Sequence, residues 1–170
     1  MSAAVAPPRF TIANACFREM PTRPVSNPLG KPDCSTSQAT ATDRNDGLKV
    51  HDLYITAAAR CAPPDNKPLP DELANCAPFL DREIEGLKKL KVVVALGKIG
   101  FDAYLNYLKR RGLLKSKAPF VFAHGAKYKL PDSKILLASY HPSNQNTQTG
   151  KLTRKMFVQI FKEAARLADQ

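Results

Sequence analysis

Two sets of side chains in this chain have types and spacing that could do chemistry: four cysteines, and a polar segment led by a histidine. In "RCAPPDNKPLPDELANC" (60–76), Cys61 and Cys76 bracket fourteen residues, and Pro63, Pro64, Pro68 and Pro70 stiffen the loop between them. That arrangement is half of a metal site, because a closed site needs four ligands, whether for zinc or for an iron–sulfur cluster. Cys16 and Cys34 would complete the number. They stand eighteen positions apart with no C-x-x-C spacing, so buried or free thiols are the simpler reading for those two.

The second set is "HPSNQNTQTGK" (141–151), which follows the apolar run "ILLASY" directly. Residues 143–150 are all polar or Gly, a density of donors and acceptors suited to phosphates and base edges. His141, fixed by Pro142, is placed to donate a hydrogen bond into a pocket. The plainer alternative is a solvated loop with a locally bonded imidazole. His124-Gly125 presents the same choice, and there a structural histidine is the simpler reading. Nucleotide motifs fail. Both Gly-Lys pairs lack the P-loop's first glycine, with Val92 and Gln145 in its place, and Ile99 and Leu152 follow the lysines instead of Ser or Thr. There is no G-x-S-x-G. No small-molecule nucleotide cofactor is expected.

Something has to hold these segments. From about residue 48 the sequence reads as alternating strands and helices. "DLYITAA" (52–58) predicts a half-buried strand, and Pro78 opens a helix with Phe79, Leu80, Ile84, Leu87 and Leu90 on one face. "VVVALG" (92–97) predicts a strand covered on both faces, and 98–112 a helix closed by Arg110, Arg111 and Gly112. "PFVFAHG" (119–125) and "ILLASYHP" (135–142) are further strand candidates, and 153–168 is an amphipathic helix. The pattern predicts an α/β fold, a mainly parallel sheet with helices on both faces, occupying residues 47–170. Residues 1–46 show no apolar period and are expected to be disordered, apart from "RFTIANACF" (9–17), a candidate short strand. In such sheets ligands bind outside the carboxyl ends of the strands, where both chemical segments begin.

Charge narrows the partner. The formal net charge is +11, and residues 101–170 hold 13 Lys/Arg against 4 Asp/Glu, net +9. A concentrated basic third suits a polyanion such as DNA. A solubilising basic surface is the alternative reading. No apolar stretch is long enough for a membrane span, and the N-terminus lacks a signal peptide's apolar run. Cysteines without a signal peptide predict a reduced, intracellular and cytoplasmic setting, nucleoid-associated if bacterial.

Taken together, "YITAAARCAPPDNKPLPDELANCAPFL" (54–80), "VVVALG" (92–97), "HGA" (124–126) and "SYHPSNQNTQTGKLT" (139–153) resemble the family 5 uracil-DNA glycosylases. These are iron–sulfur-containing members of the uracil-DNA glycosylase superfamily. The resemblance runs from about Asp43 to the C-terminus. It implies a three-layer α/β sandwich and base-excision repair, by hydrolysis of the N-glycosidic bond of a flipped uracil or other deaminated base in DNA. It implies that Cys61 and Cys76 are the two C-terminal ligands of a [4Fe–4S] cluster, and that His141 stabilises the departing uracil through its O2 oxygen. Ser143, Gln145, Asn146, Thr149, Gly150 and Lys151 then fall in the loop that presses on the DNA. Ala57 borders the pocket where some members carry Asn.

The chain also departs from that pattern. Residues 1–42 contain neither the family's C-x-x-C pair nor its Gly-Leu-Ala-Pro-type loop with an acidic residue important for activity. The expectations are therefore a truncated chain or misplaced start, a sheet missing its first strand, an incomplete cluster, and weak or absent activity alone. Two other functions stay in view: a non-catalytic basic DNA-binding module, and a zinc protein using all four cysteines.

Overall fold

Val92 to Leu96 is apolar at every position, and a strand without a polar face must be covered on both sides. All five of these residues are buried. The computed structural model describes residues 10–14, 52–60 and 67–170. Around this strand run β1 (Phe10–Asn14), β2 (Leu53–Ala57), α1 (Pro70–Gly86), β3 (Val92–Leu96), α2 (Gly97–Arg110), β4 (Lys127–Lys129), β5 (Ile135–Ser139), α3 (Asn144–Gln148) and α4 (Arg154–Ala168).

The strands form one five-stranded sheet in the order β2-β1-β3-β5-β4. The first four are parallel, and β4 pairs antiparallel with β5 at the edge. On one face Leu80 and Ile84 of α1 and Phe101, Tyr104, Leu105 and Leu108 of α2 pack on Val93, Ala95, Leu136 and Ala138. On the other, Ile160, Phe161, Ala164 and Leu167 of α4 pack on Val92, Val94, Leu96 and Leu137. The period-2 alternation along β3 and β5 thus feeds two separate apolar layers. This is the expected α/β architecture with helices on both faces. No helix among the described residues is long and apolar enough to cross a membrane.

Three expectations need correction. The sheet is not missing a strand: β1, drawn from within residues 1–46, sits between β2 and β3 in parallel register with both. Its partners are about forty and eighty residues away in the chain, so no local pattern could reveal its central place; the other residues of 1–46 lie outside those described. The second correction concerns α1, which starts at Pro70 rather than Pro78. Pro70 occupies the first turn, where its missing N–H costs nothing, and the Glu72 carboxylate accepts the Leu69 N–H at 2.7 Å. Pro78 is carried inside the helix on an exposed side.

Thirdly, residues 119–125 form an arch, not a strand. Phe120 and Phe122 face the α2 layer, which produces the alternation, while Val121 is 66% exposed. The Tyr128 hydroxyl satisfies Val121 from both sides, accepting its N–H at 3.0 Å and donating to its C=O at 2.7 Å. A side chain thus replaces the neighbouring strand that a ladder would require.

Candidate functional site

The last residues of the four parallel strands, Ala57, Asn14, Leu96 and Ser139, lie in one row of the sheet. His141 stands just beyond that row, two residues past β5. It faces the start of α2, because Gly97 ends β3 with φ +86°, and a Cβ added there would lie 3.2 Å from the His141 Cβ. Only glycine meets both demands, a left-handed backbone and contact at that distance. Gly97 therefore shapes the seat of His141, a role the sequence signalled only as a glycine at a strand–helix junction.

Burial pushes the His141 pKa below its ordinary value of 6.5. The imidazole is thus neutral at neutral pH, able to donate one N–H without carrying charge.

The segment after His141 is a compact unit rather than the open loop the sequence suggested. Ser143 caps the short helix α3, its hydroxyl accepting the Asn146 N–H at 3.3 Å. The Asn146 side-chain amide donates back to the His141 carbonyl at 2.8 Å, and the Leu152 N–H to the Asn146 carbonyl at 2.9 Å. The Thr149 hydroxyl donates to the Gln145 carbonyl at 2.6 Å, and Gly150 takes φ +72°. Leu152, 2% exposed, pins the far end into the core. Ser143 and Asn146 are therefore half-buried parts of the frame, whereas Gln145, Thr149, Gly150 and Lys151 are exposed. The Lys151 ammonium rests over the Tyr140 ring, 5.0 Å from its centroid.

The one cysteine among the described residues lies elsewhere. Cys76 is buried on α1, and its Sγ accepts the Arg60 N–H at 3.4 Å as the chain leaves β2. Strands β2 and β5 are three strand spacings apart, about 14 Å. Cys61, Cys16 and Cys34 lie outside the described residues. Among the described residues no group of three or more His, Cys, Asp or Glu could hold a metal. One thiol does not fit a [4Fe–4S] cluster, so the described residues alone cannot hold one. Ala57 is the last residue of β2, in the same row of the sheet as Asn14.

Comparison with known proteins follows the same residues. The chain matches the family model described as "Uracil DNA glycosylase superfamily" over residues 10–165, beginning at the first residue of β1 rather than near Asp43. It is 52% identical over 123 residues to the type-5 uracil-DNA glycosylase of Thermus thermophilus, covering 72% of this chain and 54% of that protein. It is 39% identical over 129 residues to the type-5 enzyme of Mycobacterium bovis, covering 75% and 47% respectively. With the type-4 uracil-DNA glycosylase of Archaeoglobus fulgidus it shares 32% identity over 105 residues, covering 57% and 48%. The chain spans about half the length of the curated relatives it matches. With a family match that takes in the central strand, both helical layers and the histidine loop, the chain belongs to the uracil DNA glycosylase superfamily.

Proposed function

We propose that this chain is a type-5-like uracil-DNA glycosylase unit that hydrolyses the N-glycosidic bond of a uracil, or other deaminated base, flipped out of DNA. The observation that carries this reading is the seating of His141 between the ends of β3 and β5, against Gly97 at the start of α2. As the C1′–N1 bond breaks, positive charge grows on the sugar and negative charge on uracil. A fixed imidazole N–H toward uracil O2 strengthens as that charge develops, and the positive end of α2 acts in the same sense. Water adds at C1′, losing its proton to solvent, and the uracil anion is protonated after departure.

The flipped base leaves a gap in the duplex, which the exposed edge of the segment, Gln145, Thr149 and Gly150, is proposed to fill. Lys151 would meet the phosphate backbone beside it. Ser143 and Asn146 support this edge from behind. Cys61 and Cys76 are proposed as two of the four ligands a [4Fe–4S] cluster needs, half of a site that this chain is expected to leave incomplete. The rate of this chain by itself is expected to be low, since the Gly-Leu-Ala-Pro-type loop with its acidic residue is not found in residues 1–42.

The test is release of uracil from a uracil-containing duplex, with a thymine-containing duplex and His141→Ala as controls. His141-dependent release supports the reading. Salt-dependent DNA binding without any preference for uracil would replace it with the non-catalytic binding module.

A further inference from the structure

His124 was the less promising histidine in the sequence, yet its ring makes defined contacts. Its Nδ1 lies 3.2 Å from the backbone nitrogen of Tyr140, the residue directly before His141. A backbone N–H can only donate, so Nδ1 must be the unprotonated acceptor and the ring proton sits on Nε2. Burial lowers the His124 pKa, which keeps the ring in that neutral form. The imidazole also stacks on the Tyr140 ring, with centroids 5.1 Å apart and planes inclined by 30°.

This contact is backed by the core. Phe101, 1% exposed, packs edge-on to Phe122 at 5.5 Å, and Phe122 reaches Tyr140 at 6.2 Å. The buried Ser139 hydroxyl donates to the Tyr140 carbonyl at 3.0 Å. The Tyr140 amide, carbonyl and ring are therefore all held, and the backbone enters His141 from a fixed peptide. The Asn146 grip on the His141 carbonyl fixes the other side.

We propose that His124 is a positioning residue for His141, acting through Tyr140 as hydrogen-bond acceptor and stacking partner. The catalytic importance of that position rests on the glycosylase reading, but the positioning itself does not. It also gives the arch at 119–125 a purpose. That segment stays out of the sheet and brings His124 to the end of β5.

The test reads the imidazoles directly. The full chain is labelled with 15N, and long-range proton–nitrogen spectra of its three histidines are compared for the parent protein, His124→Phe and His124→Asn. The expected result is an Nε2–H tautomer for His124 and one sharp tautomer for His141. His124→Phe keeps a ring but loses the acceptor, and should broaden or split the His141 signals. His124→Asn restores an acceptor oxygen near Nδ1 and should return them towards the parent pattern, with unchanged thermal melting confirming its fold. A parent His124 protonated on Nδ1, or His141 signals unmoved in His124→Phe, would overturn the proposal. Uracil release is measured on the same samples. An intact imidazole signature without release removes the glycosylase reading and leaves the positioning standing.

Discussion

The segments at the two ends of the sheet are held in different ways, although Arg60–Glu83 and Lys98–Asp102 place ion pairs at the carboxyl end as well. At the amino end, cations meet carboxylates. Arg110 at the end of α2 grips Asp81 of α1 through two bonds of 2.6 and 3.0 Å, and Arg111 meets Glu85 at 3.0 Å. Lys91 donates to the last turn of α4 at the Ala168 carbonyl, 2.9 Å away. These contacts tie helices together. At the carboxyl end the segment after His141 closes mostly on its own backbone and leaves a polar, cationic edge outward. The basic third of the sequence is thus not one surface. Arg110, Arg111, Lys127 and Arg166 are tied to carboxylates, whereas Lys151 rests over the Tyr140 ring beside the histidine segment.

That contrast predicts where substitutions should hurt. His141→Ala should lower uracil release by about 10²- to 10³-fold, the usual loss for one donor to a developing anion, while melting temperature barely moves. Because burial depresses the His141 pKa, the midpoint of its imidazole titration, followed by NMR, should lie below 6.5; a midpoint at or above 6.5 would contradict the seating described. Gly97→Ala should disturb both properties. The left-handed backbone costs roughly 1–3 kcal/mol in stability, and displacement of His141 should slow release by about 10- to 100-fold, both read on one purified variant.

At the other end the effects should be smaller and purely structural. A double-mutant cycle on Arg110 and Asp81 should give a coupling of about 0.5–1 kcal/mol in urea unfolding, with uracil release unchanged. Loss of release in Arg110→Ala would erase the distinction between the two ends. Smallest of all is the Glu163 cluster, where Arg166 and Lys127 hold the carboxyl at about 2, below its ordinary 4.5. A lowered folded-state pKa contributes stability that is present above 4.5 and is lost as pH falls toward 2. Glu163→Gln should therefore flatten the acid limb of the stability curve slightly in that window, as followed by thermal melts.

Much of this was legible beforehand, for identifiable reasons. The five apolar residues of β3 could only be a doubly covered strand, and the amphipathic period of α4 named its buried face. His141 announced itself by following a strand into a polar run. What failed did so where a distant or side-chain partner decides. The alternation in 119–125 mimics a strand, but Tyr128 takes the place of a neighbour. Pro78 looks like a helix start because proline is common there, yet Pro70 and Glu72 had already capped the helix. Gly97 and His124 could not be ranked from sequence, since each matters through what it touches across the fold.

The sequence by itself determined β2, β3, β5, α2 and α4, the polar run after His141, the cysteine spacing and the family resemblance, because these rest on residue type and local periodicity. The tertiary structure alone decided that β1 completes the middle of the sheet, which basic residues are tied to carboxylates, and that two histidines share one strand end. Each of those depends on contacts between residues far apart in the chain, which chain order does not encode locally and only packing brings together.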